Sequence, residues 1–443
     1  MSPDPVHPHH GLSSARVLDL DPLLDDPKTR IVVCCGSGGV GKTTTAAALG
    51  LRAAERGRKV VVLTIDPARR LAQSMGIDSL DNVPRRVKGI EDSSSGELHA
   101  MMLDMKRTFD EIVEAHADPE RASAILSNPF YQSLSAGFAG TQEYMAMEKL
   151  GQLRARDEWD LIVVDTPPSR SALDFLDAPK RLGSFLDGKL IRVLLAPAKV
   201  GGRAGMKFLN VGMSMMTGAL GKLLGGQLLK DVQTFVAAMD SMFGGFRTRA
   251  DATYKLLQAP GTAFLVVAAP ERDALREAAY FVERLAAEDM PLAGLVLNRV
   301  HGSGATQLSA ERALAAAENL AEPRIVDQED GKAVLNSPDT YGSSESPAST
   351  TVSATASVGA QDGSPAQDPT VEQLTAGLLR LHAERMRLLS REQRTRDRFA
   401  ALHPEVAVVE VAALPGDVHD LVGLRDIGDR LAAVRQELPT SSE

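Results

Sequence analysis

The stretch Gly36-Ser37-Gly38-Gly39-Val40-Gly41-Lys42-Thr43 decides the reading of this 443-residue chain. It fits G-x-x-x-x-G-K-[ST], a loop whose glycines let successive backbone N–H groups turn inward around a polyphosphate. In such a loop Lys42 reaches the β- and γ-phosphates, and the Thr43 hydroxyl ligates Mg²⁺. The backbone of Gly38, Gly39, Val40 and Gly41, together with Lys42, Thr43 and Thr44, supplies the candidate nucleotide contacts. The flanks agree with this reading. Residues Arg30–Cys35 form an apolar, β-branched run of the kind that makes a buried strand. Residues Thr44–Arg56 read as a helix closing on Gly57. Strand, glycine loop and helix is the setting the motif needs.

Working outward, strands and helices alternate. Further strands are expected at Lys59–Ile65, Glu97–Leu103, Asp160–Asp165, Thr262–Ala269, Leu292–Asn298 and Val406–Val411. Helices are expected after Leu103 through about His116, and at Gln142–Arg156, Arg272–Glu288 and Val371–Ala401. The last carries Leu374, Leu378, Leu381, Leu388 and Leu389 on one side. A short helix is expected at Arg16–Leu24. Apolar strands separated by helices specify an α/β fold, a mainly parallel sheet covered by helices on both faces. Residues 16–336 and 370–437 are then expected to form a single domain around the phosphate-binding loop (P-loop). A helical Met/Gly-rich insertion lies within it at 179–258. Residues 1–15 read as a disordered tail. Residues 337–369, rich in Ser, Thr, Ala, Pro and Gly, read as a disordered linker before the last helix and strand.

Bulk composition bounds the function. A hydrophobic content of 44% and a charged content of 24% are those of a globular protein. The formal net charge of −9 argues against a general nucleic-acid binder, so no nucleic acid is expected among the partners. The two cysteines, Cys34 and Cys35, are strand neighbours that point to opposite faces and cannot readily pair. They read as small core residues in a reducing compartment. No apolar stretch marks a leader, and no run reaches the length of a spanning helix. The expected location is cytoplasmic, with peripheral membrane association open.

Hydrolysis of a nucleotide requires more than a phosphate cradle. Asp165 ends an apolar strand, which suits an acidic group reaching Mg²⁺ beside Thr43; its alternative role is to open a turn before Pro167. Asp66 ends the strand after the loop helix, where such sheets line their ligand crevice. It is the candidate for orienting the attacking water, against a turn role before Pro67. Base choice has a usable negative. The guanine-reading N-K-x-D is replaced by Asn298-Arg299-Val300-His301, so adenine is favoured, with the Asn298 amide as a candidate contact or, equally, a turn residue.

Together these residues resemble the ArsA-type ATPases. This branch of the deviant-Walker-A class also holds the tail-anchored-protein targeting ATPases and, more distantly, MinD/ParA and the nitrogenase iron protein. The matching pieces are Gly36–Thr45, the L-T-I-D-P-A of Leu63–Ala68, the V-D-T-P-P-S of Val164–Ser169, the L-V-L-N of Leu295–Asn298 and the V-A-A-L-P-G of Val411–Gly416. The chain looks most similar to the actinobacterial, anion-transporting members. The resemblance implies ATP and Mg²⁺ as cofactors and a dimer that opens and closes with hydrolysis. It implies that Asp66 positions water, that Thr43 and Asp165 serve Mg²⁺, and that Asn298 and the Leu414–Gly416 loop, with Pro415, hold adenine.

Departures from the family pattern carry their own expectations. Ser37 stands where the family has the lysine that reaches the partner's nucleotide. Either Arg69 or Arg70 substitutes, or hydrolysis is slow, or the chain forms a hetero-dimer with a paralogue whose lysine enters this site. No C-x-x-C pair is present, so no structural zinc is expected, and with no spare cysteines arsenite activation is not expected either. The segment that the resemblance identifies as switch II continues as Pro168-Ser169-Arg170-Ser171, without the glycine and histidine of the targeting branch.

The insertion suggests a binding surface. Gly188–Lys230 has no acidic residue, and Phe208–Gly221 has no charge. Met206, Leu209, Met213, Met216, Leu220 and Leu223 recur at helical spacing. Core packing, a groove for a hydrophobic client helix and a membrane-surface helix all fit this pattern.

Overall fold

The computed structural model describes residues 16–66, 70–90, 96–134, 142–167, 235, 245, 248–321 and 370–432. The expected tail, the linker, the methionine stripe of the insertion, Arg69 and the segment Pro168–Ser171 lie outside these residues, as does the Arg70 side chain. In chain order the elements are α1 (Asp21–Asp25), β1 (Ile31–Cys35), α2 (Lys42–Glu55), β2 (Lys59–Thr64), α3 (Arg70–Ser74), β3 (Arg85–Arg86) and β4 (Glu97–Met102). Then come α4 (Met105–His116), α5 (Pro119–Leu126), α6 (Pro129–Leu134), α7 (Gln142–Arg156), β5 (Leu161–Asp165), β6 (Thr262–Ala268) and α8 (Arg272–Ala287). Last come β7 (Leu292–Val300), α9 (Ala310–Ala321), α10 (Val371–Leu402), β8 (Val408–Ala412) and α11 (Leu421–Ala432).

Eight strands form one sheet in the order β3-β4-β2-β5-β1-β6-β7-β8. All pairs are parallel except β3 with β4. Two-residue periodicity sorts the core into two layers. Ile31, Val33 and Cys35 join a cluster with Ile112 of α4, Leu150 of α7 and Phe281 of α8. Val32 and Cys34 join the opposite cluster, with Ala46–Ala48 of α2 and Leu424 and Ile427 of α11. The two cysteines thus leave opposite faces and are both free. Burial pushes both thiols up, Cys35 to about 12, so they remain packed thiols.

Expected and observed elements agree to within a few residues, with one correction. Arg16–Leu24 is not one helix. Val17 instead bridges Val408 in the parallel sense, with Leu18 N–H donating to the Val408 carbonyl at 3.0 Å. Helix begins only at Asp21, where Pro22 supplies a preset φ for a first turn. Leu18 and Leu20 are buried by this extended path.

The chain divides into two units, Met1–Gly302 with Arg391–Glu443, and Ser303–Ser390. The first holds the whole sheet. In the second, Ala313 and Ala317 of α9 and Ala376 and Ala383 of α10 are buried. Within it His382 Nε2 lies 2.8 Å from the Leu308 carbonyl. Among the described residues, no helix is long and apolar enough to cross a membrane.

Candidate nucleotide site

β1 lies inside the sheet between β5 and β6; the chain passes from β1 to β2 on one side and later from β5 to β6 on the other, and this change of direction opens a crevice at the strand C-termini. Gly36 leaves the strand with φ of +148°, and a Cβ there would fall 2.1 Å from the Val267 carbonyl oxygen. The loop can therefore thread past β6 only as glycine. At its far end Gly41, with φ of +95°, caps α2. A Cβ there would meet Asn298 Nδ2 at 2.2 Å. Backbone N–H groups at the helix start and the positive end of the helix dipole make this terminus an anion site.

Strand register brings the acidic group under the loop. Asp165 of β5 lies opposite Cys34 of β1 and Thr64 of β2. Asp165 Oδ2 accepts from Thr43 Oγ1 at 2.8 Å and from Thr64 Oγ1 at 2.8 Å. The carboxyl is fully buried, and its Oδ1 has no hydrogen-bond partner among the described residues. Burial raises its pKa to about 6, opposed by the Thr43 and Thr64 hydrogen bonds and by the nearby Lys42 charge. Lys42 Nζ donates to the Ser37 carbonyl at 2.7 Å. Burial pulls its ammonium below the usual lysine range, and the charge of Asp165 opposes the shift. Asp66 follows β2 on the same rim, and Gln142 Nε2 donates to the neighbouring Ile65 carbonyl at 2.9 Å.

A cleft of about 510 Å³ joins these groups. It is lined by Gly39, Gly41, Lys42, Thr43, Thr44 and Asp66, all expected from sequence. Thr166, Gln73 and Ser74 join them on the same walls. Gly38 and Val40 are not among the lining residues, and the Val40 side chain packs in the core beneath the loop. Neither Asn298 nor Pro415 lines the cleft. Asn298 is buried, and its Nδ2 donates to the Val40 carbonyl at 2.8 Å while its Oδ1 accepts from Arg299 N–H at 3.0 Å. Its amide tethers the phosphate loop to the end of β7. Pro415 is exposed.

The cleft is also lined by Arg299, Asp417, Val418 and His419. Sequence reasoning missed this group and Thr64. Arg299 takes a left-handed φ of 60°, where the pairing of β7 with β8 shifts register. Such an irregularity re-aims a side chain. A motif search has no signal for it; the one available hint is a polar side chain just after Asn298 in an otherwise apolar strand.

The donor set suits magnesium. Mg²⁺ takes few protein ligands, oxygen only, and fills its shell with water and phosphate oxygens. One threonine hydroxyl and one carboxylate with an unsatisfied buried oxygen meet that demand. No cluster of three or more His, Cys, Asp or Glu exists among the described residues, so a protein-only metal cage is not what this arrangement offers.

Comparison with known proteins points the same way. The family model for anion-transporting ATPases matches residues 29–319. The chain is 30% identical over 167 residues to ATPase GET3 of Malassezia globosa, covering 38% of this chain and 47% of that protein, so it spans about half the length of that relative. To ATPase GET3 of Podospora anserina it is 27% identical over 303 residues, 66% of this chain and 80% of that protein. To ATPase ASNA1 homolog 2 of Paramecium tetraurelia it is 24% identical over 282 residues, 63% of this chain and 78% of that protein.

Proposed function

The chain belongs to the anion-transporting ATPase family, and from that premise we propose that it hydrolyses Mg²⁺-ATP to ADP and phosphate in the cleft above β1. The single observation carrying this reading is the buried Asp165, joined to the loop threonine Thr43 and leaving one oxygen unpaired. Thr43 and Asp165 would hold the metal, which when bound neutralises charge on the phosphate oxygens. Lys42 and the loop amides stabilise charge on the transferring group without having to reorganise. Asp66, at the rim, orients the attacking water. Arg299 and His419 line the same cleft and would flank the base, while Asn298 acts by holding the phosphate loop.

We further propose that ATP closes a dimer across this site and that hydrolysis releases it. Closure would switch a surface of the 179–258 insertion that takes a hydrophobic helix or a membrane. Its support is the uncharged, methionine-rich stretch of sequence alone. Ser37 favours a second reading: a weakly hydrolysing regulatory subunit whose paralogous partner donates the missing lysine. A cytoplasmic protein, peripheral at a membrane when engaged, fits both readings.

Steady-state hydrolysis by the pure protein tests the assignment. Lys42→Ala is expected to abolish ATP binding, and Asp66→Asn to keep binding while lowering kcat by about a hundredfold or more. Equal ATP affinity in Lys42→Ala refutes the site. Turnover that rises only on adding the paralogue selects the regulatory reading. Deleting Gly201–Gly225 is expected to spare hydrolysis and remove client or vesicle binding; loss of folding assigns that segment to the core instead.

A further inference from the structure

Of the stripe foreseen on α10, Leu374, Leu378, Leu381 and Leu388 face outward, while Leu389 is half-buried. Val371, Leu374, Leu378 and Leu381 are 54–79% exposed, and Leu388 is 38% exposed. On the other side of the same helix Ala376 and Ala383 are buried. Large aliphatic side chains are seldom left in such a row on the surface of a soluble unit. Their spacing is specific. Positions 371, 374, 378, 381, 385 and 388 follow the a/d pattern of a heptad, with Arg385 the one polar member. A globular core would call for a wider, 3.6-residue stripe; a strict a/d seam is the shape of a second helix of the same kind.

We propose that this face pairs with the same face of a second copy of the chain, as a short antiparallel coiled coil. The self-complementarity comes from the register. In an antiparallel pair Val371 lies opposite the partner's Leu388, Leu374 opposite the partner's Arg385, and Leu378 opposite the partner's Leu381. Every seam position but Leu374 faces an aliphatic side chain under one two-fold axis, and Leu374 faces the stem of the partner's Arg385. Charge selects the orientation. A parallel pair stacks Arg385 on the partner's Arg385, a like-charge contact in the seam. The antiparallel pair separates the two guanidinium-bearing positions by about 16 Å along the axis and lets each arginine stem lie on a leucine. The flanks offer no like-charge clash, since Glu384 lies across from the partner's Gly377, beside which space is open. Across the seam the contact runs about 26 Å. It needs no nucleotide, so it is independent of the ATP-driven dimer proposed above.

The test uses the full chain without nucleotide. Sedimentation equilibrium is expected to give twice the chain mass, for wild type and for Lys42→Ala alike. Leu378→Asp with Leu381→Asp, both on exposed positions, is expected to weaken the dimer by about a hundredfold or more while leaving nucleotide affinity unchanged. Cross-linking provides a second readout that keeps the seam apolar. Val371→Cys protein mixed with Leu388→Cys protein is expected to form disulfides between the two variants under oxidation, and neither variant alone should cross-link; the native cysteines are buried. A wild-type monomer without nucleotide, whether another segment or another protein covers the face, overturns the proposal. So does a dimer that survives the double aspartate variant, or cross-linking of either cysteine variant with itself.

Discussion

Asp165→Asn isolates the cost of burying a carboxylate under the phosphate loop. In the folded chain its pKa is raised from 3.8 to about 6, chiefly by burial. The difference, roughly two units, corresponds to about 3 kcal/mol. Below about pH 4 both folded and unfolded forms carry the proton, and the group is neutral to stability. Between about pH 4 and 6 the unfolded chain ionises while the folded chain keeps its proton, so stability falls as pH rises. Above about pH 6 the full penalty is present. Asparagine is neutral throughout. The stability gap between variant and wild type is therefore expected to shift by about 3 kcal/mol in favour of the variant from pH 4 to pH 7, whatever its constant offset. Urea denaturation followed by Trp159, the one tryptophan and a buried one, reports it directly. Only the change in the gap matters, because other titrating groups cancel between the two proteins. Curves that stay parallel from pH 4 to pH 8 would refute the reasoning. The same variant is expected to lose Mg²⁺-dependent hydrolysis, as the proposed metal role of the carboxylate requires.

The other expected outcomes are briefer. Thr64→Val removes a donor that holds the Asp165 pKa down, so the acid limb of kcat/KM against pH should move up by about one to two units, with activity reduced at pH 7 and recovered near pH 8.5; an unmoved limb would show that Thr64 does not tune the carboxylate. Arg58 donates to the carbonyls of Leu24, Asp26, Thr29 and Asp160, so Arg58→Ala should destabilise by about 3 kcal/mol or more, read as a lower urea midpoint.

Much of the site could be read from the chain because the phosphate loop is contiguous. Gly36–Thr43 needs only its own backbone and the adjoining strand and helix, so its chemistry is spelled in order. Asp165 was legible as a candidate, since an aspartate closing an apolar run at a strand end either reaches the metal or opens the turn before Pro167, and the loop upstream favoured the metal. Thr64 was not. It looks like any β-branched strand residue until register sets it opposite Asp165. Arg299 and His419 lie far apart in sequence and meet only where β7 breaks register and the segment after β8 returns. Asn298 was singled out, but its amide holds the Val40 carbonyl, a contact that depends on how closely β7 approaches the loop.

By itself the order of residues determined the α/β class, the two-sided burial of the strands and the phosphate-binding chemistry, because periodicity and local motifs act over a few residues. Tertiary structure alone decided that Arg16–Leu20 extends along β8, that Asp165 is buried with one oxygen unpaired, and that Leu374, Leu378 and Leu381 of α10 face away from the alanines it buries. These outcomes depend on which elements become neighbours. That choice is made by burying the whole core at once, and no single segment carries the information.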